Sequence, residues 1–326
     1  MRAVAIVNAH ARGLTTRLRA RLEHTLPGHV RFTANLDEAR ATIRAELRRG
    51  ADLVILGGGD GTAVMGLTLI GEACRGLGKR EPALAVLRMG SGNAIANTVG
   101  AGDDVIADLE RLSRGGGTRR VIPMLEVLGV RAPFVGVGID AQLLEDHEAI
   151  NRLVDRVPVA RRVGGTGRYA LSVALRSIPR FAFAARANAI VTNLGRDAIE
   201  MHADRTSTAS GASGDELWRG PCTLVAGATI PYFGLGLKMF AFTGTREDVF
   251  QLRCGEPRLL EIMRNLPAAF RGEYFSDRVR DFLCDRVAIE LDREVAIEAG
   301  GELLGRRSRI ELALGTPVTV LALAPQ

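Results

Sequence analysis

Residues 53–67 read Leu-Val-Ile-Leu-Gly-Gly-Gly-Asp-Gly-Thr-Ala-Val-Met-Gly-Leu: an apolar run, a glycine cluster, then a helical pattern. Glycine lets the backbone turn sharply and come close to a ligand, so successive amides can converge on phosphate oxygens. The helix N-terminus that follows favours the same anion. Asp60 is the odd member, because a carboxylate repels bare phosphate. It fits if it meets a divalent cation carried on the phosphates, or takes a proton from an attacking hydroxyl. The bland reading is a tight turn with an aspartate cap, since Gly and Asp are common turn formers.

A second loop, Met89-Gly90-Ser91-Gly92-Asn93, again joins a predicted strand to a helix in the next βα unit. Ser91 and Asn93 add a hydroxyl and an amide suited to phosphate or ribose. A third polar loop, Asn8 to Gly13, follows the first strand. In a parallel sheet all three open at the C-terminal strand edge, the usual ligand crevice. Neither GxxxxGK[ST] nor a GxGxxG after the first strand is present, which excludes a P-loop protein and an ordinary dinucleotide site. Protein-kinase catalytic motifs are missing too.

The elements that position these loops follow from periodicity. Ala3–Val7, Val30–Thr33, Asp52–Leu56 and Ala83–Leu87 are short, mostly apolar runs. Between them, Leu14/Leu18/Leu22 and Ala39/Ile43/Leu47 repeat at helical spacing, and further helices are predicted after each glycine loop. Buried strands alternating with amphipathic helices predict a Rossmann-like α/β domain with a parallel sheet. Beyond Gly115-Gly116-Gly117 the period changes to short strand-like runs, among them 121–127, 133–139, 189–192, 198–201, 224–228, 249–252, 287–291, 295–298, 309–314 and 318–323. Helical segments are predicted near 143–154, 167–178 and 257–270. The expectation is an α/β domain over 1–118 and a mostly-β, sandwich-like domain over 119–326.

The chain has 326 residues, enough for two domains, with 47% apolar and 25% charged residues, which excludes a disordered or fibrous chain. Its net charge is +6, but only Lys79 and Lys238 are lysines, and the arginines are scattered without a tight basic run. That composition gives no reason to expect a nucleic-acid partner, while a mildly positive surface suits contact with an anionic membrane. Four dispersed cysteines without a CxxC pair argue against a disulfide framework and a zinc site. The N-terminus reads as a first strand, and the uncharged stretch 220–237 as strand and turn, because its four glycines and two prolines break helical register. A soluble, cytoplasmic protein is expected.

The Gly58–Thr62 sequence GGDGT, the Gly90–Ala94 sequence GSGNA and Asn8 together resemble the diacylglycerol kinase and sphingosine kinase superfamily, whose bacterial members are soluble lipid kinases. Looser support comes from 134–141, Gly167-Arg168-Tyr169 and 232–236. The resemblance implies ATP- and Mg²⁺-dependent phosphorylation of a lipid hydroxyl, diacylglycerol- or sphingoid-like, in a cleft between the domains. By motif, Asn8, Thr33, Gly58, Gly59, Asp60, Gly61, Thr62, Gly90, Ser91, Gly92, Asn93 and Arg168 would hold the nucleotide. Asp60 would hold the metal or polarise the acceptor, and Glu302 would keep the glutamate position of a C-terminal DGE triplet. Implied partners are ATP and a lipid alcohol at the inner membrane face, with a homodimer allowed for. The sequence departs from the family at Gly300, which stands where the DGE aspartate belongs, at Pro123 and Ala9, and in lacking the DG segment between Met239 and Leu252. Those departures motivate a second reading, a catalytically silent relative that binds nucleotide or lipid. A third, NAD kinase, shares GGDGT, but Thr206–Gly211 matches its later motif only superficially and reads as an exposed polar loop.

Overall fold

A computed structural model describes residues 2–90, 92–138, 141–146, 149–150, 186–233 and 236–323. The first part alternates strands and helices: β1 (Ala3–Asn8), α1 (Thr16–Thr25), β2 (Val30–Thr33), α2 (Leu36–Arg48), β3 (Leu53–Gly58), α3 (Asp60–Leu77), β4 (Ala83–Arg88), α4 (Ala94–Thr98) and α5 (Val105–Ser113). The four strands pair in parallel in the order β2-β1-β3-β4. Leu53 to Leu56 and Leu84 to Leu87 are buried, as strands covered on both faces by helices must be. Local signals start and stop the helices. Asn35 accepts from the Glu38 amide while Glu38 accepts from the Ala34 amide, a reciprocal cap on α2, and Gly50 takes positive φ just past its end.

Glu46 fastens α2 to the strands. Burial pushes its carboxyl up, but Arg2 and Arg31 outweigh that and hold it below the usual range. Arg2, Arg31 and Arg49 all reach it.

The second part is antiparallel and β-rich, as expected: β5 (Thr118–Val127), β6 (Val130–Ala132), β7 (Phe134–Gly138), β8 (Asn188–Asn193), β9 (Ala198–Met201), β10 (Ser207–Gly211), β11 (Glu216–Pro221), β12 (Leu224–Ala228), β13 (Tyr232–Phe233), β14 (Leu237–Lys238), β15 (Phe250–Gly255), α6 (Leu259–Arg264), α7 (Leu266–Arg271), β16 (Val279–Cys284), β17 (Arg286–Ala299) and β18 (Glu302–Ala322). The runs expected at 287–291 and 295–298 are one strand, β17. A register shift between Glu290 and Val295 lets its first half pair with β8 and its end with β7. Likewise 309–314 and 318–323 merge in β18, whose Val320 pairs in parallel with Leu84 and so joins the two parts through one sheet.

Thr206–Gly211, expected as a loop, carries the edge strand β10, paired with β9. β16 is an unexpected strand: Asp281 within it is buried against Arg253 of β15 at 2.8 Å. Of the helix expected near 143–154, residues 143–146 and 149–150 are described and are helical; the one expected near 167–178 lies outside the described residues, and 257–270 forms two short helices rather than one.

Candidate nucleotide site at the strand edge

The register puts Asn8 opposite Thr33 and Gly58 opposite Arg88, so the three polar loops leave neighbouring strands at one edge. Short bonds knit them. The Asn8 side-chain amide donates to Thr62 Oγ1 at 3.1 Å, and its oxygen accepts from the His10 amide at 2.8 Å. The Ala9 amide donates to the carbonyl of Thr33, which is buried. The Met89 amide donates to the Gly58 carbonyl, tying the second glycine loop to the first.

Each glycine of the two loops answers a particular contact. A Cβ on Gly90 would lie 2.3 Å from Gly59 Cα, so the loops touch backbone to backbone and Gly90 tolerates no side chain, whereas a Cβ on Gly59 would stand 3.4 Å from Gly90 Cα, an ordinary contact. A Cβ on Gly58 would strike Thr62 at 2.5 Å. At Gly61 the space of the missing side chain is filled by Glu302, whose Oε1 lies 2.0 Å from where a Cβ would be. Glu302 thus brings a carboxylate from β18 against the first turn of α3.

Helix α3 differs from its neighbours at its start. Thr15, Asn35 and Asp104 cap α1, α2 and α5 with their side chains, whereas the residue before α3 is Gly59, which has none to offer. Gly59 gives its first turn no side-chain cap, and that helix start lies at the same strand edge as the loops, which suits an anion. The start of α4 is served from outside: Asp60 Oδ1 accepts from the Ile95 amide at 3.1 Å. Burial raises the Asp60 pKa, opposed by the amides of Ala94, Ile95 and Asn93. The bland reading of Asp60 as a cap is therefore correct in part, but the helix capped is α4, 35 residues on. The Asn93 side chain closes on Gly90, accepting from its amide at 2.9 Å and donating to its carbonyl at 2.7 Å, with φ of 52°. It shapes the loop.

The C-terminal hairpin tip meets the same place. Gly300 and Gly301 join β17 to β18 in a two-residue turn with φ of 57° and 86°, the pattern of a type I′ turn. The Gly300 amide donates to the Phe134 carbonyl at 3.0 Å, and the Gly301 amide to Glu298 Oε2 at 2.9 Å. A Cβ on Gly300 would lie 2.1 Å from Val64 Cγ2 on α3. Asn8, Thr33, Gly58–Thr62, Gly90, Gly92, Asn93 and Glu302 are thus gathered at one edge. Ser91 and Arg168 lie outside the described residues, as do Ile139, Asp140, Gly234 and Leu235 of the looser motifs. Sequence reading passed over Arg88, which ends β4 at this edge, holds Asp103 at 2.8 Å and keeps Nε buried without a hydrogen bond among the described residues.

No group of three or more His, Cys, Asp or Glu side chains that could hold a metal exists among the described residues. Asp60 and Glu302, on either side of Gly61, are hard oxygen donors that suit Mg²⁺ held chiefly by nucleotide phosphates rather than by a protein cage. The cysteines are free, and burial pushes the Cys254 and Cys284 thiols well up, as inert core residues.

Fold and site together define an α/β unit with three polar loops at one edge of its parallel sheet, which an antiparallel β region continues. Residues 2–124 match the model of the diacylglycerol kinase catalytic domain, the same likeness that the glycine loops carry. Three structures from Bacillus anthracis strain Sterne that carry the name diacylglycerol kinase share the fold. Their TM-scores are 0.65, 0.61 and 0.63, at 15%, 14% and 16% identity, each covering 98% of this chain and 96% of the other. At such identities the likeness is one of fold. No curated protein matches the chain.

Proposed function

We propose that the protein is a lipid kinase that transfers the γ-phosphate of ATP to a hydroxyl of a diacylglycerol- or sphingoid-like lipid with Mg²⁺, at the cytoplasmic membrane face. The observation that carries this reading is the start of α3, to which Gly59 gives no side-chain cap and which lies at the contact between the two glycine loops, Gly59 against Gly90. The amides there receive the phosphate chain. Phosphoryl transfer depends chiefly on positioning and on stabilising charge, so a rigid ring of donors suits it. Bound Mg²⁺ would neutralise charge developing between the phosphates, with Asp60 and Glu302 as its protein carboxylates. Asp60 also sets the spacing of the two loops through α4. Thr62, held by Asn8, offers its hydroxyl beside the same phosphates, and Arg88 and Arg168 are candidates for a further phosphate contact. Among the described residues no helix is long and apolar enough to cross a membrane, which fits peripheral attachment.

The test is incubation of the purified chain with labelled ATP and a broad lipid extract. Mg²⁺-dependent label in lipid, lost in Asp60→Ala, is expected; normal ATP binding with no labelled lipid refutes the proposal.

Gly300 favours one second reading, a silent relative. Its positive φ and the Val64 methyl leave no room for the aspartate the family carries there. Robust transfer by the wild type removes this reading.

A further inference from the structure

Four large apolar side chains of α6 and α7 stand in water: Leu260, Met263, Leu266 and Phe270 are 60%, 58%, 40% and 47% exposed. Single exposed hydrophobes need no explanation, but a cluster within eleven consecutive positions does. The helices themselves are firmly seated. Glu261 accepts from the buried Tyr274 hydroxyl at 2.9 Å, Asn265 donates back to the Glu261 carbonyl at 2.9 Å, and Ala269 is buried. The apolar face is therefore held outward by a bonded inner face.

Cations surround it. Arg258, just before α6, and Arg264 and Arg271 on the two helices are exposed, and Lys238 of β14 packs beside Gly272 just past α7. The nearby carboxylates are Glu261, bonded inward to Tyr274, Glu273, paired with Arg271 at 2.6 Å, Glu256, paired with Arg186, and Asp277, which lines one cavity with Glu261, Asn265 and a further arginine, Arg278. Arg258 and Arg264 have no ion pair among the described residues. Position matters as well: α7 packs on β14, β14 pairs with β13, and β13 packs on α4, the helix that Asp60 caps. The patch is one hairpin away from the candidate nucleotide crevice.

We propose that this face of α6 and α7 docks the protein on an anionic lipid bilayer, the apolar side chains entering the interface and the arginines meeting lipid phosphates. Apolar insertion and charge attraction add in such a surface, whereas neither alone holds firmly. A second copy of the chain is the poorer occupant, because a two-fold contact through this face would bring the same arginines of both copies together. The choice of a bilayer rests on the lipid-kinase reading, so the test is arranged to separate the two.

The full chain, without nucleotide, is sedimented with vesicles of phosphatidylcholine alone and of phosphatidylcholine mixed with phosphatidylglycerol. Binding to the mixed vesicles only is expected. Arg264→Gln should weaken it roughly fivefold, and Met263→Gln with Phe270→Gln by more than about tenfold. All these positions are exposed, so the melting temperature stays unchanged and serves as the folding control. Undiminished vesicle binding by these variants overturns the proposal, as does equal binding to both vesicle types or none to either. A patch-dependent dimer in sedimentation velocity, with vesicle binding unaltered, assigns the face to a second copy and also overturns it. Phosphate transfer to detergent-dispersed lipid is measured separately. Transfer without vesicle binding refutes the docking surface alone, and vesicle binding without transfer refutes the kinase reading alone.

Discussion

Restoring the aspartate of the DGE triplet by Gly300→Asp is the change the sequence invites, and the structure says what it costs. An aspartate at φ of 57° pays about 1 kcal/mol for the left-handed backbone. Its Cβ also falls 2.1 Å from Val64 Cγ2, inside a buried contact where overpacking costs about 1–3 kcal/mol. The combined loss is about 2–4 kcal/mol, a fall in melting temperature of roughly 3–6 °C for a chain of this size. Val64→Ala alone should cost about 1–3 kcal/mol by leaving a small cavity, yet it also clears the space. The double variant should therefore melt only about 1–2 °C below Val64→Ala alone, the left-handed backbone being the cost that remains, so the two changes are coupled rather than additive. Differential scanning calorimetry of the four proteins reads this directly. A Gly300→Asp protein as stable as the wild type, or strictly additive losses, would refute the proposed packing of the hairpin tip on α3. Phosphate transfer gained only in the double variant, from an inactive parent, would support the silent relative.

Three further outcomes follow from the site and its frame. Asp60→Asn keeps an oxygen for the Ile95 amide, so the fold should hold while Mg²⁺-dependent ATP affinity drops more than about tenfold; Asp60→Ala should in addition lose about 1 kcal/mol of stability with the cap. Gly90→Ala, forcing a Cβ against the Gly59 backbone, should abolish nucleotide binding in calorimetry while a substitution at the open Gly76 does not. The Glu46 carboxyl titrates below its unfolded value, so its contribution is present above the usual glutamate range and is lost as pH falls through the lower folded value. Unfolding of Glu46→Gln should be less acid-dependent than that of the wild type over that window.

The α/β half was legible in the sequence because parallel strands covered on both faces are continuous apolar runs, and because Leu14/Leu18/Leu22 and Ala39/Ile43/Leu47 between them repeat at helical spacing. The antiparallel half was legible only where strands are apolar. β16 was missed because its Arg280 and Asp281 look like loop residues; Asp281 becomes acceptable in a strand only through Arg253, 28 positions away. β10 was missed because an exposed edge strand needs no apolar alternation. At the site, the loop glycines pointed to a phosphate cradle. Which helix start Asp60 caps, and why Gly61 must be bare, depend on Ile95 and Glu302, which only the folded chain brings near. Glu302 came from family resemblance, since nothing in its neighbourhood marks it. The docking face was hidden for the opposite reason: Leu260, Met263 and Phe270 have helical core spacing, and only their exposure separates surface from core.

The most direct measurement is amide hydrogen exchange of the full chain with and without ATP and Mg²⁺, followed peptide by peptide. Protection confined to residues 58–63 and 90–95 is expected, since the amides at the start of α3 take the phosphates and the second loop is bolted to them. Unchanged exchange across both stretches, at nucleotide concentrations where calorimetry shows binding, would contradict the claim that this helix start is the phosphate site.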